Sequence, residues 1–395
     1  GITTEIVGQH GVAVAPINDD MVSIQKELLL GWTYPDALNV DWSWNSIKDY
    51  LDTLDREGVS VNIGTLVPHG NVKQLVMGMD NREPTKGELN QMSSIIKESL
   101  DEGALGLSTG LIYLPCVFAS EDELTELCQV VGEYGGIFDI HIREYSDKFL
   151  ESVKEAIRIA ENSHCTLHLC HFGVAGEKNW HQLEEAFSYI IEARQRGVNI
   201  VGDLHSYPAG STSLGAAALP PKITSKGADY VINALKNPEK RFRLIKMLDG
   251  TIPSDYDNWI RYNGYDGVII SSVFSKKNKF AEGKTITEIS NILNKSPAET
   301  ILDLILEETI ESKSPFSISC IVFWSNDDIC ERIIEDDFFG IGTDALLIEG
   351  NPHPRCYGTF PRVLNKFVNE RQTLSLEKSI QKMTSLAARI MGIDN

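Results

Sequence analysis

Short runs of β-branched and apolar residues alternate along the chain with longer segments in which apolar residues recur every three or four positions. The first pattern is typical of buried strands and the second of amphipathic helices. The predicted strands are Thr4–Gly8, Val59–Pro68, Ala104–Ser108, Ile137–Arg143, Thr166–His171, Val198–Tyr207 and Phe338–Asp344. Repeated units of strand, helix and strand predict a parallel sheet, either open and doubly wound or closed into a barrel.

The number of predicted strands favours the barrel, although a (β/α)₈ barrel needs one strand more than the pattern provides. An open edge would leave backbone donors and acceptors unpaired. Because the chain starts at Gly1 and enters a predicted strand almost at once, we expect it to be an excerpt of a longer protein. A missing strand upstream of Gly1 and an open sheet are the two interpretations of the shortfall.

The segment between the last two predicted strands is longer than a single crossover requires. It predicts helices near 225–249 and 287–309, and short strands at Val268–Ser272 and Ser317–Phe323. We therefore predict one barrel domain over residues 1–395, a fragment at both ends, with an inserted subdomain or lid over residues 213–335.

The amino-acid composition limits the classes of molecule that this protein is expected to bind. The 395 residues include 36 Lys and Arg against 56 Asp and Glu, a formal net charge of -20. This balance argues against nucleic acid or an anionic membrane surface as a partner, since both favour a basic protein face. The 7 cysteines are scattered without paired spacing, which indicates a reduced interior and hence a cytoplasmic protein. No apolar run is long enough to span a bilayer.

Histidines and carboxylates collect at the carboxyl ends of the predicted strands, where barrel enzymes carry their chemistry. In Ile137–Arg143 the strand period of two places Asp139, His141 and Arg143 on one face. Burying three such groups is costly unless they pair with one another or bind a ligand. A structural ion pair of Asp139 with Arg143 and a functional site therefore both remain open for this strand.

The next strand ends with His171, which shares a face with Leu167 and Leu169, whereas His168 lies on the other face. We expect His168 to pack against a helix. Imidazoles at the ends of consecutive strands can converge, and neutral imidazole is a common zinc ligand. His141 and His171 together therefore predict a metal site.

Asp344 ends the last predicted strand after two glycines. Such a residue is often a turn or helix cap. Its alternative role is that of a base which takes a proton from water and delivers it to a leaving amine. Asp203, one strand earlier, is predicted to support the site rather than to react.

The order of these parts resembles the amidohydrolase superfamily, and most closely its N-acyl-D-amino-acid deacylase (D-aminoacylase) branch. The matching segments run through almost the whole chain. They are Gly8–Pro16, Leu66–Gly70, Gly106–Leu111 with Tyr113 and Pro115, His141–Arg143, Asp203 with Tyr207–Thr212, Ile341–Asp344, and His353–Arg362.

The resemblance implies a TIM-like (β/α)₈ metal-dependent hydrolase barrel that here lacks its first strand. It implies zinc ligands at His141 and His171, and a metal-bound hydroxide that attacks the amide carbonyl of a small N-acyl amino acid, with Asp344 as general base and acid. Tyr113 and Arg355 fall in segments that line the substrate pocket in relatives. Arg143, which follows His141 on the same predicted strand, is the third substrate-binding candidate.

Three departures from the family pattern bear on function. The family's His-x-His pair belongs to a first strand that we expect upstream of Gly1, and relatives continue past the position of Met391. Relatives that accept N-acyl-D-amino acids usually carry a lysine where this chain has Gly173. The stereochemical preference therefore stays open, as do the acyl group, the amino-acid side chain and the oligomeric state.

His10 stands between Gly8 and Gly11, where well-known members of the branch have a cysteine. Alone, it is more typical of a turn than of a ligand. Together with His141 and His171 it becomes the third predicted zinc ligand, with one position left for water. Because a neutral imidazole offers one lone pair to one metal, we predict a single tight zinc.

Two other functions remain as alternatives. A cyclic-amide hydrolase of the hydantoinase or dihydroorotase kind would carry a carboxylated lysine where Leu107–Thr109 stands. A barrel that has lost catalysis would act as a binding scaffold.

Overall fold

The protein is described by a computed structural model over residues 1–33 and 35–393. Its strands are β1 Thr4–Val7, β2 Asn62–Thr65, β3 Val67–Pro68, β4 Gly106–Gly110, β5 Ile137–His141, β6 Thr166–Leu169, β7 Ile200–Leu204, β8 Ala209–Ser213, β9 Val268–Ser272, β10 Ser319–Phe323 and β11 Phe339–Ile341. Its first nine α-helices are α1 Val22–Leu29, α2 Ile47–Glu57, α3 His69–Met77, α4 Lys86–Asp101, α5 Glu121–Glu133, α6 Phe149–Ser163, α7 Gln182–Gln195, α8 Leu214–Ala218 and α9 Pro221–Thr224. The others are α10 Ala228–Lys236, α11 Pro238–Leu248, α12 Trp259–Asn263, α13 Ile286–Leu293, α14 Pro297–Ser312, α15 Asp327–Ile334, α16 Arg355–Arg362, α17 Leu376–Met383 and α18 Ser385–Ile390.

The main sheet is parallel and follows the order of the chain. Six strands lie in the order β11, β7, β6, β5, β4, β3, and β1 pairs in parallel with β2. Only Leu66 separates β2 from β3, so the pair β1–β2 extends the same sheet. All strands predicted for the barrel are therefore present in sequential order, most of them shorter than predicted.

The helix starts follow the local sequence. The Thr85 side chain accepts a hydrogen bond from the Glu88 amide, and the Glu88 carboxylate accepts one from the Thr85 amide, which completes a capping box at α4. At α5 the Ser120 side chain accepts from the Glu123 amide in the same way. The Glu123 carboxylate does not return the bond, because it instead accepts from Lys73 at 2.6 and 2.7 Å and from His69 at 3.0 Å.

The barrel core joins strand and helix residues in one apolar cluster. Leu107, Phe138 and Leu167 of three neighbouring strands are fully buried and pack with Leu124 of α5 and Phe187 of α7. Burial of side chains of this size stabilises the fold by about 1.5–3 kcal/mol each. The ends of the strands are thereby held in fixed positions.

A second apolar cluster lies in the segment between β7 and β11. It is built around the antiparallel sheet β8–β10–β9 and the helices α10 to α14. Cys330, Ile333 and Ile334 of α15 instead belong to the barrel cluster. The second cluster falls within residues 213–335, and the assignment of that range as an inserted subdomain stays a prediction. None of the described helices is long and apolar enough to cross a lipid bilayer.

Candidate functional site

A cavity of about 480 Å³ opens beside the carboxyl ends of the parallel strands. The lining residues come from both the barrel and the segment that contains the second cluster. They are His10, Trp32, Tyr113, His141, Tyr145, His171, His205, Gly210, Ser211, Trp259, Trp324, Asp344, Leu346 and Arg355.

Three imidazoles meet at the base of this cavity. His171 Nε2 lies 2.9 Å from His10 Nε2 and 2.9 Å from His141 Nδ1. Burial lowers the pKa of His171 to about 4 and that of His141 well below its ordinary value. Both rings are therefore neutral near neutral pH, and neutral imidazole is the form that binds metals.

The loop that carries His10 is held in a left-handed conformation. His10 has φ 61°, and its neighbours Gly8 and Gly11 have φ 85° and 71°. A Cβ atom on Gly8 would lie 2.6 Å from the Leu66 carbonyl oxygen, so a side chain there has no room. The Ser108 hydroxyl bridges the loop, because it donates to the Gly8 carbonyl and accepts from the Gly11 amide.

Tyr145 contacts the side of the His171 ring that points away from the other two histidines. Its hydroxyl oxygen accepts from the Ile142 amide at 3.3 Å, and it lies 3.4 Å from the Cys170 carbonyl and 3.1 Å from His171 Nδ1. The direction of the bond to Nδ1 depends on the tautomer of the ring. The tautomer that leaves the lone pair on Nε2, facing the other two histidines, carries its proton on Nδ1 and donates it to Tyr145.

The backbone after β6 turns His171 towards the cavity. The strand ends at Leu169, and His171 has φ 35°. Its amide donates to Asp203 Oδ1 at 2.6 Å, which holds the turn. Asp203 thus contacts the backbone of a site residue, in keeping with the supporting role predicted for it.

The donor set fits a metal ion. Nitrogen ligands about 2.0–2.1 Å from a tetrahedral zinc stand roughly 3.3 Å apart, close to the 2.9 Å that separates His171 Nε2 from one nitrogen of His10 and from one of His141. His141 faces the cluster with Nδ1, and its other nitrogen, Nε2, is buried without a hydrogen-bond partner among the described residues. The donor atoms that all lie within 4.8 Å of one another are those of His10, Cys170 and His171, a group that does not include His141, and the Cys170 sulfur lies 3.7 Å from His171 Nε2. Burial raises the pKa of the Cys170 thiol well above its usual value, which disfavours the thiolate.

Asp344 and Arg355 form an ion pair on the wall of the cavity. Asp344 Oδ2 lies 2.7 Å from Arg355 Nη1, and Asp344 Oδ1 lies 4.0 Å from His10 Nε2. Burial acts to raise the pKa of Asp344, but the Arg355 guanidinium, together with the imidazoles of His10, His171 and His205, outweighs it and lowers the pKa to about 2. Asp344 is therefore ionised at neutral pH. Arg355 Nε is buried and has no hydrogen-bond partner within the described part of the chain.

The structure corrects two expectations from strand alternation. Arg143 does not line the cavity, because β5 ends at His141 and the guanidinium is bound to Glu155 at 2.7 Å and the Ala119 carbonyl at 2.9 Å. His168 is paired with a carboxylate of the neighbouring strand. Its Nδ1 lies 2.6 Å from Asp139 Oδ1, which it faces across the β5–β6 pair. Asp139 thus pairs with His168 and not with Arg143.

The remaining substrate-binding candidate, Tyr113, lies in the cavity wall. Its ring is edge-on to those of His10 and His141, at centroid distances of 5.9 and 5.2 Å. Its hydroxyl lies 3.1 Å from Thr212 Oγ1. Burial raises the pKa of Tyr113, so the phenol stays neutral.

Sequence reasoning missed several residues of the cavity. His205 directly follows β7 and stands two residues after Asp203, so the strand period of two that identified His141 could also have identified His205. Tyr145 lies in the loop after β5, four residues beyond His141, where the strand period of two no longer applies. Trp259 and Trp324 come from the predicted insertion, where nothing in the local sequence indicates that their rings reach the barrel.

Comparison with known proteins identifies the family of this chain. The sequence profile of the amidohydrolase family matches residues 1–395. The N-acyl-D-aspartate deacylase of Alcaligenes xylosoxydans xylosoxydans is 28% identical over 394 residues, which are 100% of this chain and 66% of that protein. The D-aminoacylase of the same organism is 25% identical over 394 residues, 100% of this chain and 68% of its own length.

Among solved structures, the N-acyl-D-glutamate deacylase of Bordetella bronchiseptica, in complex with zinc and a phosphonate mimic of the tetrahedral intermediate, superposes with a TM-score of 0.75. It is 25% identical, and the match covers 99% of this chain and 69% of that one. The chain thus spans about two thirds of the curated relatives that it matches, at 66% and 68% of their lengths. The resemblance to the deacylase branch and the TIM-like barrel expected from it are confirmed, and the chain belongs to the amidohydrolase family.

Proposed function

We propose that this chain carries the active site of a zinc-dependent hydrolase that cleaves the amide bond of an N-acyl amino acid into a carboxylate and a free amino acid. The observation that carries the proposal is that His10 and His141 each place a ring nitrogen 2.9 Å from His171 Nε2, in a cavity that also contains Asp344 and Arg355. The relatives named as deacylases of N-acyl-D-aspartate and N-acyl-D-glutamate support the reaction class.

In this proposal His10, His141 and His171 hold one zinc ion. The zinc in the Bordetella deacylase supports a metal cofactor for this barrel. When bound, zinc acts as a Lewis acid that polarises a carbonyl group and makes water a stronger nucleophile. The contribution of the chain is the orientation of the ligands: Tyr145 accepts the Nδ1 proton of the metal-binding tautomer of His171, and Asp203 holds its backbone.

Asp344 moves the proton in the proposed reaction. Its ionised carboxylate accepts a proton from the attacking water as the carbon–oxygen bond forms, and returns it to the amide nitrogen as the carbon–nitrogen bond breaks. The amine then leaves neutral, and the second proton of the water stays on the carboxylic acid product, which ionises to the carboxylate in solution. The 4.0 Å between Asp344 Oδ1 and His10 Nε2 places this carboxylate beside the proposed ligands.

Arg355 is the proposed partner of the substrate carboxylate, with Tyr113 as a neighbouring contact. The guanidinium is 1% exposed and keeps a buried Nε without a described partner, so a carboxylate could bind it without displacing a protein group from that atom. Arg143 is not retained as a substrate contact, since Glu155 and Ala119 occupy its guanidinium.

The test is an assay of amino-acid release from N-acetyl-D- and N-acetyl-L-amino acids by the purified protein with and without added zinc. We expect release with zinc, and a loss of at least about 100-fold in kcat for Asp344→Asn, in line with the usual contribution of a general base. Asp122→Asn, an acidic residue in the first turn of the remote helix α5, is the matched control and should keep full activity.

Two outcomes would overturn the proposal. Zinc that binds without any amide hydrolysis would favour a binding scaffold. Hydrolysis of hydantoin or dihydrouracil in preference to every N-acetyl amino acid would favour a cyclic-amide hydrolase.

A further inference from the structure

Five aromatic side chains surround the histidines, and we call them the aromatic wall: Trp32, Tyr113, Tyr145, Trp259 and Trp324. Trp32 and Tyr113 contact each other edge-on at 4.7 Å, and Tyr145 contacts Trp324 edge-on at 5.9 Å. The Trp259 indole is nearly parallel to the His141 ring at a centroid distance of 6.2 Å. Aromatic rings from these five residues therefore line the cavity that contains the imidazoles.

The position of Trp324 depends on a glycine from another part of the chain. The indole lies directly over the backbone of Gly173, two residues after His171. A Cβ atom at Gly173 would lie 2.4 and 2.6 Å from two carbons of that ring, so no other residue fits there while the indole keeps its place. At Gly210 a Cβ would lie 3.6 Å from the indole nitrogen, which is an ordinary contact. Gly173 thus makes the space that the indole fills.

Trp259 is held by a carboxylate that also binds the loop after β5. The Trp259 indole nitrogen donates to Asp257 Oδ2 at 2.7 Å, and the Tyr145 amide donates to the same oxygen at 2.9 Å. The Ser146 hydroxyl donates to Asp257 Oδ1 at 2.5 Å. Two members of the aromatic wall are therefore tied to one another, and the wall is a preformed surface.

Charge in the cavity is limited. Among the described residues that line it, Arg355 is the only side chain with a permanent positive charge, and it is already paired with Asp344 at 2.7 Å. It can serve one substrate carboxylate. A second carboxylate would lie against indole and phenol rings without a cationic partner, which carries a large desolvation cost.

We propose that the aromatic wall selects N-acyl amino acids that carry one large apolar group and discriminates against those with an acidic side chain. This inference rests on the proposed function for the identity of the scissile group. The apolar group has two sources with the same chemistry, the amino-acid side chain and the acyl group. The chain thus differs in specificity from the relatives named for N-acyl-D-aspartate and N-acyl-D-glutamate.

The experiment measures binding by calorimetry to zinc-depleted protein, so that no turnover occurs. The probes are N-acetylphenylalanine, N-benzoylalanine and N-acetylglutamate, each as both enantiomers. We expect the better-bound form of at least one aromatic probe to bind about 100-fold more tightly than either form of N-acetylglutamate, as an apolar pocket without a second cation implies. The aromatic probe that binds more tightly identifies the source of the apolar group.

Substitutions in the aromatic wall test whether its rings cause the preference for aromatic over acidic probes. Trp324→Leu should reduce the ratio of the two affinities by about tenfold, because it removes the ring surface next to Gly173. Phe242→Leu, at a ring that is 58% exposed on α11, is the matched control and should leave the ratio unchanged. If Trp324→Leu does not fold, Trp259→Leu tests the same surface through the other indole.

The results separate this inference from the proposed function. Equal or tighter binding of N-acetylglutamate, no binding of any probe, or a ratio unchanged in the folded tryptophan variants would overturn the inference. The expected binding order without amide hydrolysis in the zinc-loaded protein would overturn the proposed function and leave the inference standing. Zinc-dependent hydrolysis that is fastest with N-acetylglutamate would overturn the inference and leave the proposed function standing.

Discussion

The described part of the chain contains two buried polar clusters that are built in opposite ways. In the first, the lysine cluster of His69, Lys73 and Glu123, all three side chains are 0% exposed. Lys73 Nζ lies 2.6 and 2.7 Å from the two Glu123 oxygens, and His69 Nε2 lies 3.0 Å from one of them. His69 Nδ1 meets Thr109 Oγ1 at 3.0 Å. Every charged group there has a partner.

The histidine cluster of His10, His141 and His171 lacks such pairing. Its ring nitrogens face one another, and His141 Nε2 has no partner among the described residues. The effect on protonation is also opposite. Burial acts to lower the pKa of His69, but Cys116 and Glu123 outweigh it and raise the pKa to about 9, whereas burial lowers that of His171 to about 4. Burial alone therefore does not mark a functional site. The distinguishing feature is a set of lone pairs that the protein leaves for an external group.

The largest expected effect comes from removing a proposed ligand. His141→Ala and His171→Ala should each lower zinc affinity by at least about 1,000-fold, because two imidazoles cannot complete the ligand set of a tight zinc site. Zinc per chain after dialysis, measured by atomic emission, gives the readout. His181→Ala is the control, since His181 is exposed and lies at the start of α7, away from the cluster. Full zinc retention in both ligand variants contradicts the assignment.

The next effect concerns stability and is confined to the lysine cluster. Lys73→Met should lower the free energy of unfolding by about 1–3 kcal/mol, because it removes the hydrogen bonds to both Glu123 oxygens and leaves the carboxylate with the protonated His69 as its charged partner. Chemical denaturation of zinc-free protein measures this loss. The double variant Lys73→Met with Glu123→Gln removes both charges and should recover much of it. Zinc content should stay at the wild-type level in both, and a loss of zinc would show that the two clusters are not independent.

A smaller effect tests the orientation of His171. Tyr145→Phe removes the oxygen that accepts the Nδ1 proton, so zinc affinity should fall about 10–100-fold, as for other groups that orient a metal-binding histidine. A competition titration with a chelator measures the affinity. Tyr134→Phe, which removes an exposed hydroxyl that donates to Asp101, is the control. An unchanged affinity in Tyr145→Phe would mean that the tautomer is fixed in another way.

The smallest effect is expected at Cys170. Its sulfur lies 3.7 Å from His171 Nε2, but burial raises the pKa of the thiol and favours the neutral form. Cys170→Ser should therefore change zinc affinity by less than about threefold, which is under 1 kcal/mol. A loss as large as that in His141→Ala would instead assign the site to His10, Cys170 and His171.

The sequence alone was sufficient for the order of the strands, because the alternation of apolar periods depends on local geometry that each segment carries in itself. It also brought His10, His141 and His171 together, since parallel strands end at the same side of the barrel. Arg143 shows where this reasoning fails. The period of two holds only within a strand, and β5 ends at His141, so the next polar residue no longer shares its direction.

Other parts of the site depend on contacts between distant segments. Trp324 reaches the cavity because Gly173 leaves room for its ring, and neither residue has a local signal that indicates the other. The left-handed backbone of His171 likewise depends on the bond from its amide to Asp203 on the next strand. Such features follow from packing between elements, which periodicity along one element does not encode.

The most direct test of the account is X-ray absorption at the zinc edge of the wild-type protein, together with the zinc content per chain. We predict one zinc per chain with nitrogen or oxygen neighbours only, at about 2.0–2.1 Å, and a scattering pattern of several imidazole rings. A sulfur neighbour near about 2.3 Å, or a protein that retains no zinc, would contradict the claim that His10, His141 and His171 form a metal site.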